Sequence, residues 1–389
     1  MIKVAILGST GSIGQTTLNI LRQNKIKTKI FLLSANSNFG KIFSQAKEFN
    51  VKNIILPNIN KNLHWKKKFK KNKINTYENF NNFSKIFKTN LDYVINAISG
   101  IDGLEPTLKI IKYTNKIAIA NKESIICGWN LINKELIKNN TKFIPIDSEH
   151  FSIFNLIKDK KKQEIKKIII TASGGPFLNK KKINKGIKIS DALKHPNWKM
   201  GKKITIDSST LMNKVFEVIE AKKIFNINYN KIEILINPNS YLHAVVEFNN
   251  GIIKMLVHET KMDIPIFNSI YDTFSNNLYK TKNLDIDKIN KLSLMKPDIN
   301  KFYALKILNI MPIKDSLFET VLITTNDVLV EMFLNKKIEF NQISFYLIKI
   351  IKFKLFKKYY KMTPKSIEQI MNVKKLTKKY IKKYFNNKF

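Results

Sequence analysis

Cysteine and arginine are nearly absent from this chain. Cys127 is the single cysteine in 389 residues, which excludes an intramolecular disulfide framework and a cysteine-based zinc site and fits a reducing compartment. No apolar run reaches the roughly 18 residues that a membrane helix requires. The opening stretch "MIKVAILGSTGSIG" enters a strand and turn at once, with no charged leader ahead of an apolar segment, so a cytoplasmic location and no membrane partner are expected. Acids are scarce: 29 Asp and Glu stand against 69 basic residues, for a formal charge of +40. That charge invites a nucleic-acid reading, but Arg22 is the one arginine, and base and phosphate readout leans on arginine forks. Lysine, asparagine, isoleucine and phenylalanine are enriched in loops and elements alike, a pattern of drift toward AT-rich codons. Runs such as "WKKKFKKNK" at 65–73 therefore read as solvated surface, and no nucleic-acid partner is expected.

What remains is a soluble globular composition, 44% hydrophobic, long enough for two or three domains. "KVAILGSTGSIGQTTLNIL" is an apolar strand, a glycine turn and a helical pattern, with Gly8, Gly11 and Gly14 spaced three apart. Such a turn lets backbone approach a pyrophosphate that the helix N-terminus receives, with Thr10, Ser12 and Ile13 supplying further amides and hydroxyls. The second strand ends without the acid that would hold a ribose hydroxyl and repel a 2′-phosphate. Asn36, Ser37 and Asn38 follow it instead, which predicts NADPH over NADH. Short apolar strands then alternate with helical stretches, the signature of an open, mostly parallel, doubly wound sheet of Rossmann type. Asn121, Lys122 and Glu123 follow the strand "IAIA", and "IPIDSEH" closes the next, so both fall where ligands of such sheets sit.

Asp147 and Glu149 are two apart, so an extended segment would aim both carboxylates one way; acids held so close share a proton or hold a cation. "DSSTLMNKVFEVIEA" reads as one helix placing Asn213, Lys214, Glu217 and Glu220 on a single face. Ser208, Asn213 and Lys214 suit a phosphate cradle near its N-terminus, and Glu217 supplies a third carboxylate. Three oxygen ligands describe a hard cation, Mg²⁺ or Mn²⁺. Between them, "IIITASGGPF" ends a strand at Ser173, and "HPNWKMG" reads as a loop carrying Trp198 as an aromatic cover.

In order and spacing, "GSTGSIG", "ANKES", "DSEH", "SGGPF", "HPNWKMG" and "DSSTLMNK--E" closely resemble the 1-deoxy-D-xylulose 5-phosphate reductoisomerases, over essentially the whole chain. "ITTNDVLVEMFLNKKIEF" resembles a C-terminal helix of the same family. The resemblance implies an NADPH- and metal-dependent enzyme acting on a phosphorylated sugar, early in non-mevalonate isoprenoid synthesis, and a homodimer. Its domains would be an NADPH-binding Rossmann-like domain (1–147), a central α/β catalytic and dimerisation domain with a flap (148–275), a linker (276–300) and a C-terminal helical bundle (301–389). By position, Asp147, Glu149 and Glu217 would bind the metal. Lys122, Glu149 and His195 would be catalytic, Ser148 and Lys122 would meet the substrate's oxygens, and Trp198 would cover it. Ser173, His195, Ser208, Asn213 and Lys214 would hold its phosphate end. Gly8, Thr10 to Gly14, Asn36 to Asn38, Asn121, Glu123 and Gly201 would line the cofactor.

The chain departs from the family at 36–37, at 237–243, where "NPNSYLH" keeps His243 but lacks an earlier histidine, and ahead of Met262. His64, His258 and Cys127 read as surface or core. The basic stretch "IKIIKFKLFKKYYK" reads as a bundle helix with a snorkelling lysine rim rather than a membrane-surface helix. Two rivals stay open: a metal-free NADP dehydrogenase, and a basic nucleic-acid-binding protein on a decayed Rossmann fold.

Overall fold

A computed structural model describes residues 1–24, 28–183, 185–198, 200–271 and 285–386. The described chain forms two compact units. The first comprises 1–125, 131–147 and the return segment from Met262, and the second comprises 126–130, 148–261 and the C-terminal part.

The first unit is built on seven parallel strands: β1 (Ile2–Leu7), β2 (Thr28–Ser34), β3 (Asn53–Ile55), β4 (Asn75–Tyr77), β5 (Tyr93–Asn96), β6 (Lys116–Ile119) and β7 (Lys142–Pro145). Their spatial order is β4-β3-β2-β1-β5-β6-β7, all pairs parallel. Residues 4–7 of β1 are fully buried, as a central parallel strand covered on both faces by helices must be. Strand order reverses at β1, and a ligand crevice opens beyond the strand ends at such a switch point. The α/β, doubly wound expectation therefore holds for this unit.

One boundary lies elsewhere than expected. Residues 262–271, assigned by sequence to the catalytic domain, pack on the first unit. The helix Asp263–Ile270 lies against the helix Ser12–Gln23, and Ile266, Phe267, Ile270 and Tyr271 join the core cluster around Val4 and Ile6. The Tyr93 hydroxyl hydrogen bonds Ser269 Oγ at 2.6 Å. An apolar helix buries its face wherever a complementary core exists, and chain order does not reveal where that is.

The second unit carries a mixed sheet, β8 (Ile165–Ala172), β9 (Ile232–Ile236), β10 (Leu242–Phe248) and β11 (Ile253–Val257), in the order β11-β10-β8-β9. The helix Ser148–Ile157 packs on β10 and β11. The rest is helical: Phe318–Leu334, buried over most of its length, packs against Phe340–Ile351 and Ile367–Asn386. In the basic stretch Ile348, Ile350, Ile351, Phe356 and Tyr359 are buried, so it belongs to the bundle with lysines at its rim, but as the end of Phe340–Ile351, a short helix Lys354–Lys357 and a 3-10 turn Lys358–Lys361 rather than one helix. Residues 276–284 of the expected linker lie outside the described residues. Beyond them, Ile286–Asn290 is helical and Met295 pairs antiparallel with Ile236, so this stretch extends the edge of β9. Among the described residues no helix is long and apolar enough to cross a membrane.

Candidate active site

The glycine turn is shaped by backbone crowding. Gly8 has φ +79°, and a Cβ there would sit 2.7 Å from the Ala97 carbonyl oxygen. A Cβ on Gly14 would lie 2.5 Å from Gly8 O and from Ser9 Cα, so the helix Ser12–Gln23 can approach β1 only because that position is bare. Gly11 caps the helix without a side chain, and Gly11 and Ser12 are exposed with Thr10 and Ile13 half-buried. The Gly8 amide donates to Ser34 Oγ at 2.9 Å, tying the turn to the end of β2. Asn36, Ser37 and Asn38 are exposed just beyond that end. Asn38 Oδ1 accepts from the Lys41 amide at 3.2 Å as a helix cap, and Asn36 Oδ1 accepts from Asn58 Nδ2 at 3.2 Å. Asn121 is buried at the end of β6, and its Nδ2 donates to Gly100 O at 3.1 Å and to Ile98 O. Lys122 and Glu123 open the helix that follows, and the Lys122 ammonium pairs with Asp147. Gly201 belongs to the second unit, where it caps the helix Lys202–Ser209.

The acid pair is not in an extended segment. β7 ends at Pro145 and the helix Ser148–Ile157 starts three residues later, so Glu149 lies in its first turn, one residue past Ser148. Asp147 and Ser148 straddle the division between the units, and their peptide bond fixes one beside the other. Asp147, Glu149 and Glu217 each bring one carboxylate oxygen within 4.8 Å of the others. Glu217 is 1% exposed. The Lys214 ammonium lies 2.6 Å from Glu149 Oε1 and also pairs with Glu217, while Asn213 Nδ2 donates to Glu217 and Ser148 Oγ donates to Glu149 Oε2 at 2.5 Å. Burial opposes the charge of Lys214, but Glu149 and Glu217 outweigh it and hold its pKa above the usual lysine value. Three carboxylates against two lysines leave a net negative charge among oxygen donors. That donor set fits a hard divalent cation.

The expected single helix is two. Lys202–Ser209 and Met212–Phe225 are separated at Leu211, which adopts φ +59°. A left-handed leucine is costly and persists only where its surroundings impose it. The break changes the cradle. Ser208 sits in the last turn of the first helix, whereas Asn213 and Lys214 occupy the first turn of the second, where the helix dipole favours an anion although the Met212 and Lys214 amides already donate to Thr210 Oγ1 and Leu211 O.

Ser173 follows β8 in the same unit. His195 Nδ1 accepts from the amides of Trp198 at 2.9 Å and Asn197 at 3.2 Å, so Nε2 carries the proton and donates to Ser173 Oγ at 3.0 Å. Ser173 Oγ also accepts from the Gly175 amide at 3.1 Å, which leaves its hydroxyl hydrogen to donate to a ligand. Burial, assisted by the charge of Lys214, pushes the His195 pKa down to about 4, so the ring is neutral at pH 7. Trp198 is half-buried, with its indole 6.2 Å from the His243 ring in an edge-to-face arrangement.

Several residues here carry weight that sequence reasoning left unassigned. Asn197 Nδ2 donates to Pro238 O and Ser240 Oγ, both at 2.8 Å, and so moors the Trp198 loop to the 237–240 turn. Asn237, where the family has a histidine, is fully buried and donates to Ser293 O at 2.9 Å. His150 is fully buried; its Nε2 donates to the Glu217 carbonyl at 2.9 Å, and Nδ1 lies 3.5 Å from Glu220. Its place in "DSEH" was the available signal. His258, read as core, stacks on His243 at 3.7 Å and donates from Nδ1 to Glu259 O at 2.7 Å.

Comparison with known proteins identifies the family. Three family profiles match: 1-deoxy-D-xylulose 5-phosphate reductoisomerase over residues 4–128, its C-terminal domain over 143–225, and the DXP reductoisomerase C-terminal domain over 258–380. A 1-deoxy-D-xylulose 5-phosphate reductoisomerase of Pelagibacter ubique is 56% identical over 376 residues, covering 96% of this chain and 97% of that protein. One from Clostridium tetani is 38% identical, covering 99% and 100%. Among solved structures, a DOX-P reductoisomerase in complex with NADPH, fosmidomycin and magnesium is 30% identical with a TM-score of 0.88, covering 98% of this chain and 97% of that one. The Zymomonas mobilis enzyme in complex with NADPH is 29% identical with a TM-score of 0.84, covering 97% of each chain. The chain that carries this glycine turn and these three carboxylates beside two lysines therefore belongs to the 1-deoxy-D-xylulose 5-phosphate reductoisomerase family.

Proposed function

We propose that the family's reaction is run in this chain by Asp147, Glu149 and Glu217 as ligands of a divalent cation, Lys122 as the adjacent charge, and Ser173, His195, Ser208, Asn213 and Lys214 as the phosphate site. The reaction isomerises and reduces 1-deoxy-D-xylulose 5-phosphate to 2-C-methyl-D-erythritol 4-phosphate with NADPH and Mg²⁺ or Mn²⁺. The observation that carries the assignment is the meeting of three carboxylate oxygens within 4.8 Å, drawn from residues some seventy positions apart in the chain.

When bound, the cation supplies Lewis acidity toward the substrate's vicinal oxygens, and NADPH supplies the hydride. The chain's own groups do the rest. Lys122 stands beside Asp147 and adds positive charge where oxyanion character grows. Ser148 presents a hydroxyl at the same helix start, and Glu149 joins the cation site to Lys214. At the phosphate end, a neutral His195 orients Ser173 so that its hydrogen points outward. The positive charge there comes from Lys214 and the first turn of Met212–Phe225. Trp198 excludes water from the reacting carbons. In the first unit the cofactor lies along Gly8, Thr10 to Gly14, Asn36 to Asn38, Asn121 and Glu123, with the neutral 36–38 loop favouring the 2′-phosphate of NADPH. Residues 1–147 with 262–271 form the cofactor domain, 148–261 the catalytic domain and 301–386 the helical domain.

The enzyme works in the cytoplasm as a homodimer. Edge strand β11 supports the dimer, since Ile252, Ile253 and Met255 are each more than half exposed on and beside it.

Following NADPH absorbance with 1-deoxy-D-xylulose 5-phosphate tests the assignment. Activity should vanish after EDTA treatment and return with Mg²⁺ or Mn²⁺. Undiminished turnover in the metal-stripped enzyme would leave the dehydrogenase rival standing.

A further inference from the structure

We propose that Asn326 is a positioning residue for the phosphate site, acting through Asp207 on the helix that carries Ser208. The proposal rests on the reading of Ser208 as a phosphate donor.

Asp207 is 2% exposed. A carboxylate so deep is costly unless donors surround it. Asn326, fully buried on the helix Phe318–Leu334, donates from Nδ2 to Asp207 Oδ1 at 2.7 Å. Lys203, one turn earlier on the Asp207 helix, reaches the carboxylate at 3.5 Å and Asp327 at 2.9 Å. The helix Lys202–Ser209 is thereby tied to the central helix of the bundle beside Ser208. On the following residue, Ser209 Oγ donates to Ala192 O at 2.6 Å and fixes the helix to the segment leading into the His195 loop. The backbone of Ser208 in turn lies against the Ser173 turn: a Cβ on Gly175 would be 3.1 Å from Ser208 O.

Two of the proposed phosphate donors, Ser173 and Ser208, are therefore held in register by contacts that leave the helix no freedom to turn about its axis. Leu211 breaks the helical path immediately afterwards, with its amide donating to Ser208 O at 3.1 Å, so the two helices do not form one rigid rod. Among these ties, the Asp207–Asn326 bond is the buried one that joins the helix to the bundle directly beside Ser208. Asparagine suits it because an apolar residue would strip Asp207 of its neutral donor, and an acid would put a second negative charge against it.

Steady-state kinetics of the full-length enzyme test the inference. Asn326→Leu should raise KM for 1-deoxy-D-xylulose 5-phosphate by about tenfold or more while kcat changes by less than about threefold, as expected for a lost buried charge-assisted bond acting on binding. Added phosphite should accelerate reduction of the phosphate-free sugar 1-deoxy-D-xylulose by the parent enzyme and do so less in Asn326→Leu. Asp207→Asn alone should raise KM likewise, and Asp207→Asn combined with Asn326→Asp, which reverses the bond, should bring it back to within about threefold of the parent. A lowered melting temperature with KM unchanged would mean that the pair only stabilises the fold, and would overturn the proposal. If Asn326→Leu does not fold, the reversed pair decides: a KM no better than that of Asp207→Asn alone refutes it. Ser208→Ala separates the two readings. A raised KM there with unaffected Asn326 variants removes this inference alone, and an unchanged KM removes the phosphate reading together with it.

Discussion

The two ends of the proposed substrate site are built from opposite materials. At the cation end Glu149 and Glu217 converge with Asp147, and Lys214 and Lys122 are drawn in by them. At the phosphate end Ser173, His195 and Ser208 are neutral, and Ser173 and His195 are paired with each other and with backbone amides. Lys214 belongs to both: it neutralises the acids, and its charge helps keep His195 unprotonated. Acids at one end and hydroxyl, imidazole and ammonium donors at the other suit a ligand that joins a cation and a phosphate within one molecule's length.

Glu217→Gln breaks the contrast most sharply. It removes one of three ligands and a partner of Lys214, so turnover should fall by roughly 10³-fold or more, with weakened Mn²⁺ binding by electron paramagnetic resonance and NADPH binding unaltered. Lys122→Ala should lower kcat by about 10²-fold with the melting temperature little changed, since one positive group beside developing charge is lost; an unchanged kcat would remove its assignment. Gly14→Ala probes a different region: its Cβ would strike backbone at 2.5 Å, so thermal unfolding should show a loss of about 1–3 kcal/mol, with weaker NADPH binding by fluorescence titration.

The smallest effect is in pH. His195 takes a proton near pH 4 in the folded chain and near 6.5 when unfolded, so between these values the unfolded state binds more protons. The stability contributed by the neutral ring is complete above 6.5 and declines as pH falls toward 4. His195→Gln should flatten that part of the stability profile in denaturant titrations across this window.

Legibility differed between regions for a physical reason. The glycine turn was readable because its constraint is local: Gly8 and Gly14 are bare where a few neighbouring residues pack backbone on backbone. The acids could be named, but their geometry could not. "DSEH" is a helix start rather than an extended strand end, and "DSSTLMNK" is two helices rather than one, because Leu211 takes a left-handed conformation that no propensity foretells. Asn326 and Asn197 carried no visible signal, since their partners lie 119 and 41 residues away. The return of 262–271 to the first unit was equally hidden, because an amphipathic helix declares that it will be buried and is silent about where.

By itself, then, the order of residues determined the parallel sheet, the dinucleotide turn, the types of group available for catalysis and the family, because periodicity, glycine spacing and motif order are properties of short stretches. Tertiary structure alone decided which acids meet, which tautomer His195 adopts and which residues anchor the helix that carries Ser208. Those depend on distances of a few ångströms between segments far apart in the chain, and only packing sets such distances.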